Sequence, residues 1–131
     1  LVEEQRVRPV WSFRWMLRLL DVVGALSGRG YPLVSEELVL SVEDALFPEN
    51  RGPWKVVADG SGSVSVSPAP APAPAPASGR VRPISIGTLS AIYSGSLPAA
   101  DAVTFGLVDP ALAPALASLF GGPAPWMYDF F

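Results

Sequence analysis

The carboxyl end of the chain contains the clearest candidate for a reactive group in the sequence. A chain end is usually polar and frayed, whereas this one reads WMYDFF from Trp126 to Phe131. Each Å² of apolar surface left in water costs about 25 cal/mol of free energy. We therefore expect the tail to dock against other protein surface. Docking would partly bury the α-carboxylate of Phe131, and burial favours its protonated form, which makes it a candidate base. From composition alone, a tail that only closes the core is the alternative.

The side chains provide few other reactive groups. The chain has no cysteine and no histidine, which excludes disulfides, thiolate or imidazole metal sites and a Ser-His-Asp triad. Carboxylates occur in adjacent pairs at Glu3-Glu4, Glu36-Glu37 and Glu43-Asp44. Neighbouring residues of a strand point to opposite faces of its sheet, so such pairs do not converge on one substrate. We interpret them as solvated strand ends.

Phosphate and nucleic-acid binding find no support in the sequence. The pattern GxxxxGK[ST] does not occur, and Gly60-x-Gly62 is typical of a hairpin turn. The net charge is −3, and no lysine or arginine follows Arg82. A groove that follows phosphates needs clustered positive charge, so we expect no nucleic-acid partner, and we expect no metal or cofactor in this chain.

Large apolar side chains suggest a second type of site. Trp15, Leu17, Ile92, Leu116 and Trp126 are candidates to line an apolar pocket, although core packing is the alternative for each of them. Such a pocket would suit an apolar ligand.

Alternating apolar residues predict strands over residues 10–20, 37–43, 54–58 and 63–67, with strand-like sequence again over 80–86. Helix signals follow Asp21, Thr88, Pro98 and Asp109-Pro110, and Gly30 is expected to end the first helix in the left-handed region. Strands therefore come early and helices late, which predicts an α+β fold with about five strands covered by short helices.

The tract PAPAPAPAPA over residues 68–77 interrupts this pattern. Proline at every second position removes amide donors and fixes φ, so we expect a polyproline II loop. We interpret it as an expanded hairpin loop between strands; an interdomain linker is the alternative.

The length of 131 residues suits one domain over residues 1–131, and the start at Leu1 suggests a domain cut from a longer protein. No apolar run reaches the roughly 18 residues of a membrane span and no signal-peptide pattern opens the chain. We therefore expect a cytoplasmic protein.

Several motifs together resemble a known family. The stretch WMLRLLDVVGALSGRGYP resembles the W-x-R-L-x-D-x-x-x-A-L-x-x-R-x-Y opening of the C-terminal domain of Eis-type (enhanced intracellular survival) N-acetyltransferases. The resemblance continues through ELVLSVED, ENRGPWKV, ISIGTLSAIYSGS and PWMYDFF, in order and with similar spacing. The Pro-Ala tract is longer than the family's usual connection.

The resemblance implies a sterol carrier protein (type 2) fold that follows two GNAT domains in the same chain. It implies that acetyl-CoA binds those upstream domains through an R-x-x-G-x-[GA] loop, which this sequence lacks. It further implies amine substrates such as lysine side chains or aminoglycosides, a homo-oligomer, and a general-base role for the terminal carboxylate, here that of Phe131. The family's acid, a tyrosine of the first GNAT domain, has no counterpart in this chain.

Two hypotheses follow. In the first, the chain is the C-terminal domain of an Eis-like N-acetyltransferase, shaping the substrate cavity and supplying the Phe131 carboxylate. In the second, it is a stand-alone carrier for an apolar ligand such as a lipid or sterol, as the sterol-carrier resemblance implies. A pure oligomerisation scaffold cannot be separated from the first by sequence.

Overall fold

The computed structural model describes residues 16–70 and 82–121. The helices are α1 (Val22–Gly28), α2 (Ile86–Tyr93), α3 (Ala99–Thr104) and α4 (Ala113–Phe120), with 3₁₀ turns at Pro48–Asn50 and Pro110–Leu112. The strands are β1 (Ser35–Leu40), β2 (Val42–Glu43), β3 (Trp54–Asp59), β4 (Val64–Pro68) and β5 (Ile84–Ser85). The predicted α+β class is confirmed, with helices concentrated in the second half of the chain.

The main sheet contains three antiparallel strands in the order β1-β3-β4. The predicted β3–β4 hairpin is confirmed, and Gly60 and Gly62 in its turn both have φ of +87°, a conformation that glycine adopts without steric cost. Side chains alternate across the sheet as the pattern predicts. Leu38, Leu40, Val56, Ala58 and Val64 face the core.

A second ladder contains two short strands, because β2 pairs with β5 in parallel through Val42 and Ile84. The five strands of the described residues thus form two ladders and not one five-stranded sheet. The prediction of a hairpin across the Pro-Ala tract is wrong: β5 pairs with β2, not with β4. The backbone of β5 binds the segment between β1 and β2 instead, since the N–H of Ile84 donates to the carbonyl of Ser41 at 2.8 Å. Residues 71–77 of the tract lie outside the described residues.

The helix starts follow local capping chemistry. Asp21 accepts from the N–H of Gly24 and caps α1, as predicted, and Asp109 accepts from the N–H of Ala111. Helix α2 begins earlier than expected, because Ser85 and not Thr88 is its N-cap. Helix α1 ends at Arg29 in an extended conformation, so the left-handed stop predicted at Gly30 is wrong.

The predicted strand over residues 10–20 is wrong for the part that the structure describes. Residues 16–20 form no ladder, and two of their backbone groups bind side chains from distant parts of the chain. The N–H of Leu19 donates to Ser90 Oγ at 3.0 Å, and the carbonyl of Leu20 accepts from Asn50 Nδ2 at 3.1 Å. Residues 10–15 lie outside the described residues.

The core joins the inner face of the main sheet to all four helices. In α4, Leu116, Leu119 and Phe120 are buried and Leu112 is half-buried just before it, so the predicted apolar face is confirmed. Leu89 of α2 is fully buried.

Replacing Leu89 tests this packing. Leu89→Ala leaves a cavity at a fully buried position and should lower the free energy of unfolding by about 3 kcal/mol. Urea unfolding of the 131-residue chain measures the effect. Leu33→Ala is the control, because Leu33 is 79% exposed and its loss should change stability by less than about 0.5 kcal/mol. Equal losses for the two variants would contradict the assigned core.

Candidate functional site

A cleft of about 630 Å³ lies between the segment Met16–Arg18 and the outer face of α2. Its lining residues are Met16, Leu17, Arg18, Gly87, Ala91, Ser94 and Ser96. Gly87 and Ser96 are exposed and Met16 is 99% exposed, so this is a surface cleft.

A smaller and more apolar cavity, of about 190 Å³, lies between α2, α3 and α4. It is lined by Ile92, Gly95, Leu97, Pro98, Ala99, Ala100, Leu116, Ala117, Phe120 and Gly121. Ile92 and Leu116 are almost fully buried, with exposures of 1% and 0%. Their side chains therefore belong to the core as well as to the cavity wall.

The candidate pocket residues do not converge on one place. Ile92 and Leu116 share the small cavity, whereas Leu17 lines the surface cleft. Trp15, Trp126 and the candidate base Phe131 lie outside the described residues.

A buried polar network lies where the N-terminal segment meets the segment after β2. Asp44 is 2% exposed, and its Oδ1 accepts from Arg18 at 2.5 Å and from the N–H groups of Leu46 and Phe47 at 2.9 and 3.2 Å. Its Oδ2 accepts from Asn50 Nδ2 at 3.0 Å. The interpretation of Glu43-Asp44 as a solvated strand end is therefore wrong for Asp44.

Asn50 extends this network to α1 and β3. Its Oδ1 accepts from the N–H of Val22, its Nδ2 also donates to the carbonyl of Leu20, and its own carbonyl accepts from Trp54 Nε1. The sequence contains one signal for this arrangement: an aspartate that follows a strand and binds the amides two and three residues later is a common turn former. Arg18, which binds Asp44 from 26 residues earlier in the chain, has no such signal in the sequence.

The charge of Asp44 is stabilised by these contacts. Burial alone would raise the pKa of this carboxyl, but hydrogen bonds from Asn50, Leu46 and Phe47 and the nearby Arg18 charge outweigh it. Together they lower the pKa from 3.8 to about 2. Asp44 is thus an ionised structural anchor with its lone pairs in use, and it is a poor proton acceptor.

A second cluster joins the ends of three elements around Arg29. Its guanidinium lies 5.0 to 5.7 Å from the ring centroids of Tyr31, Tyr93 and Phe120, and it also donates to the carbonyl of Tyr93. The Tyr31 hydroxyl donates to the carbonyl of Leu26 at 2.7 Å, and burial raises the pKa of Tyr31 to about 12. The Tyr93 hydroxyl donates to the carbonyl of Ala25 at 3.2 Å. Both phenols therefore hold α1 in place.

Within residues 16–70 and 82–121, no group of three or more His, Cys, Asp or Glu side chains is placed to hold a metal ion. No helix in those ranges has the length and apolar character needed to cross a membrane.

The low pKa of Asp44 predicts a pH-dependent stability. Below about pH 4 the unfolded chain takes up the proton before the folded chain does, so the contribution of this carboxylate is present above that pH and is lost as the pH falls towards 2. Asp44→Asn should therefore be less stable than the parent at pH 6, and the difference should shrink between pH 4 and pH 2. Urea unfolding across this range measures it. Glu43→Gln, one residue away and exposed, controls for the loss of one negative charge. A stability difference between Asp44→Asn and the parent that stays constant with pH would show that the Asp44 carboxylate does not stabilise the fold in this way.

Comparison with known proteins identifies the fold family. The family model described as "Sterol carrier protein domain" matches residues 22–128. The chain is similar to a solved GCN5-related N-acetyltransferase from Kribbella flavida, at 33% identity and a TM-score of 0.72 over 87% of this chain and 29% of that one. A second, from Anabaena variabilis ATCC 29413, is 28% identical with a TM-score of 0.73, over 87% of this chain and 28% of that one.

Eis1 from Mycobacterium abscessus is also similar, at 25% identity and a TM-score of 0.59, over 83% of this chain and 26% of that one. The chain thus spans less than a third of the length of each of these three proteins. No curated protein matches it. The family resemblance seen in the sequence is confirmed: the chain belongs to the sterol carrier protein domain family, in the form that GCN5-related N-acetyltransferases such as Mycobacterium Eis1 contain.

Proposed function

We propose that this chain is the C-terminal, sterol-carrier-like domain of an Eis-type, acetyl-CoA-dependent N-acetyltransferase. In the whole enzyme it shapes the acceptor cavity and supplies the terminal carboxylate of Phe131 as general base. The observation that supports this most is the pattern of similarity: three acetyltransferase chains match over 83 to 87% of this chain but over only 26 to 29% of their own length.

The chemistry of the described residues is consistent with a contributing domain. The chain has no histidine or cysteine. In the described part, no buried side-chain nitrogen or oxygen lacks a hydrogen-bond partner, and the carboxylate of Asp44 is used by the fold. The Tyr93 hydroxyl donates a hydrogen bond to the carbonyl of Ala25 and anchors α1. These observations favour a base in the tail over a base among the described side chains.

The proposed step is an acyl transfer. The Phe131 carboxylate takes a proton from the neutral acceptor amine as the nitrogen attacks the thioester carbonyl of acetyl-CoA, which the upstream domains hold. The new C–N bond forms, the C–S bond breaks, and the thiolate leaves with a proton from an acid of the upstream domains. A positioned general base contributes about 10²- to 10⁴-fold to such a rate.

The position of the terminal carboxylate provides the test. In the full polypeptide, adding Gly-Ser after Phe131 moves the carboxylate and should lower kcat by at least about 100-fold without unfolding the protein. Phe131→Leu keeps a carboxylate at the same backbone position and is the matched control, with most of kcat retained. Acetylation of an amine acceptor by acetyl-CoA measures both variants. Full activity in the extended protein would show that Phe131 is not the base.

The second hypothesis, a stand-alone carrier of an apolar ligand, requires a cavity of suitable size. The cavity that contains Ile92 and Leu116 is about 190 Å³, whereas sites for drug-sized ligands are roughly 300–1,000 Å³. Both side chains are also committed to the core. The cleft of about 630 Å³ that contains Leu17 is large enough, but it lies at the surface beside the 99% exposed Met16 and would not enclose an apolar ligand. The described packing therefore favours the contributing-domain function.

A titration separates the two functions. The 131-residue chain, titrated with a fluorescent fatty acid or sterol, should show no saturable binding in the micromolar range. Leu116→Ala enlarges the small cavity and serves as the control for sensitivity, because added space at a dry apolar site can admit a small apolar probe such as benzene. Saturable sterol binding by the unmodified chain would support the carrier function instead.

A further inference from the structure

The surface cleft between Met16–Arg18 and α2 has an apolar floor. Gly87, Ala91 and Ser94 follow each other at intervals of four and three residues, so they lie on one face of α2 and its C-cap. These small residues leave room for side chains from outside. Met16 and Leu17, on the opposite wall, are 99% and 39% exposed.

The polar groups of the cleft are already paired within the chain. Ser94 Oγ and Ser96 Oγ both donate to the carbonyl of Ala91, at 3.0 and 3.1 Å, and the two hydroxyls lie 3.0 Å apart. The Arg18 guanidinium binds Asp44 at 2.5 Å and lies 5.8 Å from the ring centroid of Phe47. A polar or charged ligand would find few free partners here, whereas apolar side chains would fit.

Further apolar side chains are exposed around the same end of the molecule. Leu20 is 63% exposed and Leu46 is 69% exposed. The backbone of both residues is bound by the Asp44–Asn50 network. The carbonyl of Leu20 accepts from Asn50 Nδ2, and the N–H of Leu46 donates to Asp44 Oδ1. Clustered exposure of large apolar residues is typical of a surface that another protein surface covers.

We infer that this cleft, formed by Met16, Leu17, Gly87 and Ala91, is where the upstream part of the same polypeptide packs against this domain through apolar side chains. Met16–Arg18, which forms one wall of the cleft, is the described segment nearest in sequence to any polypeptide that precedes this chain. More than two thirds of each similar acetyltransferase chain lies outside the matched region, which provides enough protein for such a contact. The inference rests on the proposed function in taking that upstream part to be the acetyltransferase domains.

Single cysteines test this contact, since the 131-residue chain has none of its own. Ala91→Cys places a thiol in the cleft, and Ala111→Cys places one at an exposed alanine outside the cleft lining. Each variant is made in the 131-residue chain and in the full polypeptide, and its labelling by a maleimide is followed by peptide mass spectrometry. We expect Cys at position 91 to react at least tenfold more slowly in the full polypeptide, and Cys at position 111 to react at similar rates in both.

A charge in the cleft provides a second readout that does not depend on a thiol. Leu17→Glu should leave the melting temperature of the 131-residue chain within about 2 °C, because Leu17 is already 39% exposed. In the full polypeptide it should increase the rate of proteolytic cleavage near residue 16 at least tenfold. Leu107→Glu is the matched control, at 42% exposure and outside the cleft lining, and should leave that rate unchanged.

Equal labelling of Cys at position 91 in the two proteins would overturn the inference, and so would an unchanged cleavage rate for Leu17→Glu. Amine acetylation by the unmodified full polypeptide is measured in parallel. An active enzyme with an uncovered cleft would refute this contact and leave the proposed function standing. A covered cleft in a protein that does not acetylate amines would support the contact and refute the proposed function.

Discussion

Asp44 is a charged side chain with almost no exposure, and its hydrogen bonds determine how the N-terminal segment meets the rest of the fold. Its carboxylate binds Arg18, the amides of Leu46 and Phe47, and the amide of Asn50. Through Asn50 the same network reaches Val22 at the start of α1 and Trp54 at the start of β3. Replacing the side chain of Asp44 or Asn50 with an apolar one would leave several buried polar groups without partners. The free-energy cost of those unpaired groups exceeds the net stabilisation that the hydrogen bonds provide.

This network also determines which surfaces are available for function. It holds the segment Met16–Leu20 along α2 and out of the main sheet, so Leu17 contributes to a surface cleft and not to the cavity of Ile92 and Leu116. At the other end of α1, the Arg29 guanidinium packs against the rings of Tyr31, Tyr93 and Phe120 and holds this end of the helix against the core. Both charged groups are structural, which is consistent with a domain that contributes shape and one terminal group to a larger enzyme.

Features set by neighbouring residues could be predicted from the sequence. The hairpin of β3 and β4, the Asp21 and Asp109 caps and the apolar face of α4 each depend on residues a few positions apart. The features that could not be predicted depend on distant partners. Alternation over residues 10–20 resembles a strand, but Leu19 and Leu20 bind Ser90 and Asn50, which lie 71 and 30 residues away. The buried state of Asp44 depends in the same way on Arg18.

The proposed function requires that the domain complete an acetyltransferase through its tail. Ending the full polypeptide at Gly121 removes residues 122–131 and keeps the described helices and strands. The measurement is acetyl-CoA affinity and acetylation rate for this truncated protein beside the intact one. If upstream domains bind acetyl-CoA and the tail supplies the base, the Kd for acetyl-CoA should be unchanged and kcat should fall by at least about 100-fold. Full turnover by the truncated protein would contradict the proposed function.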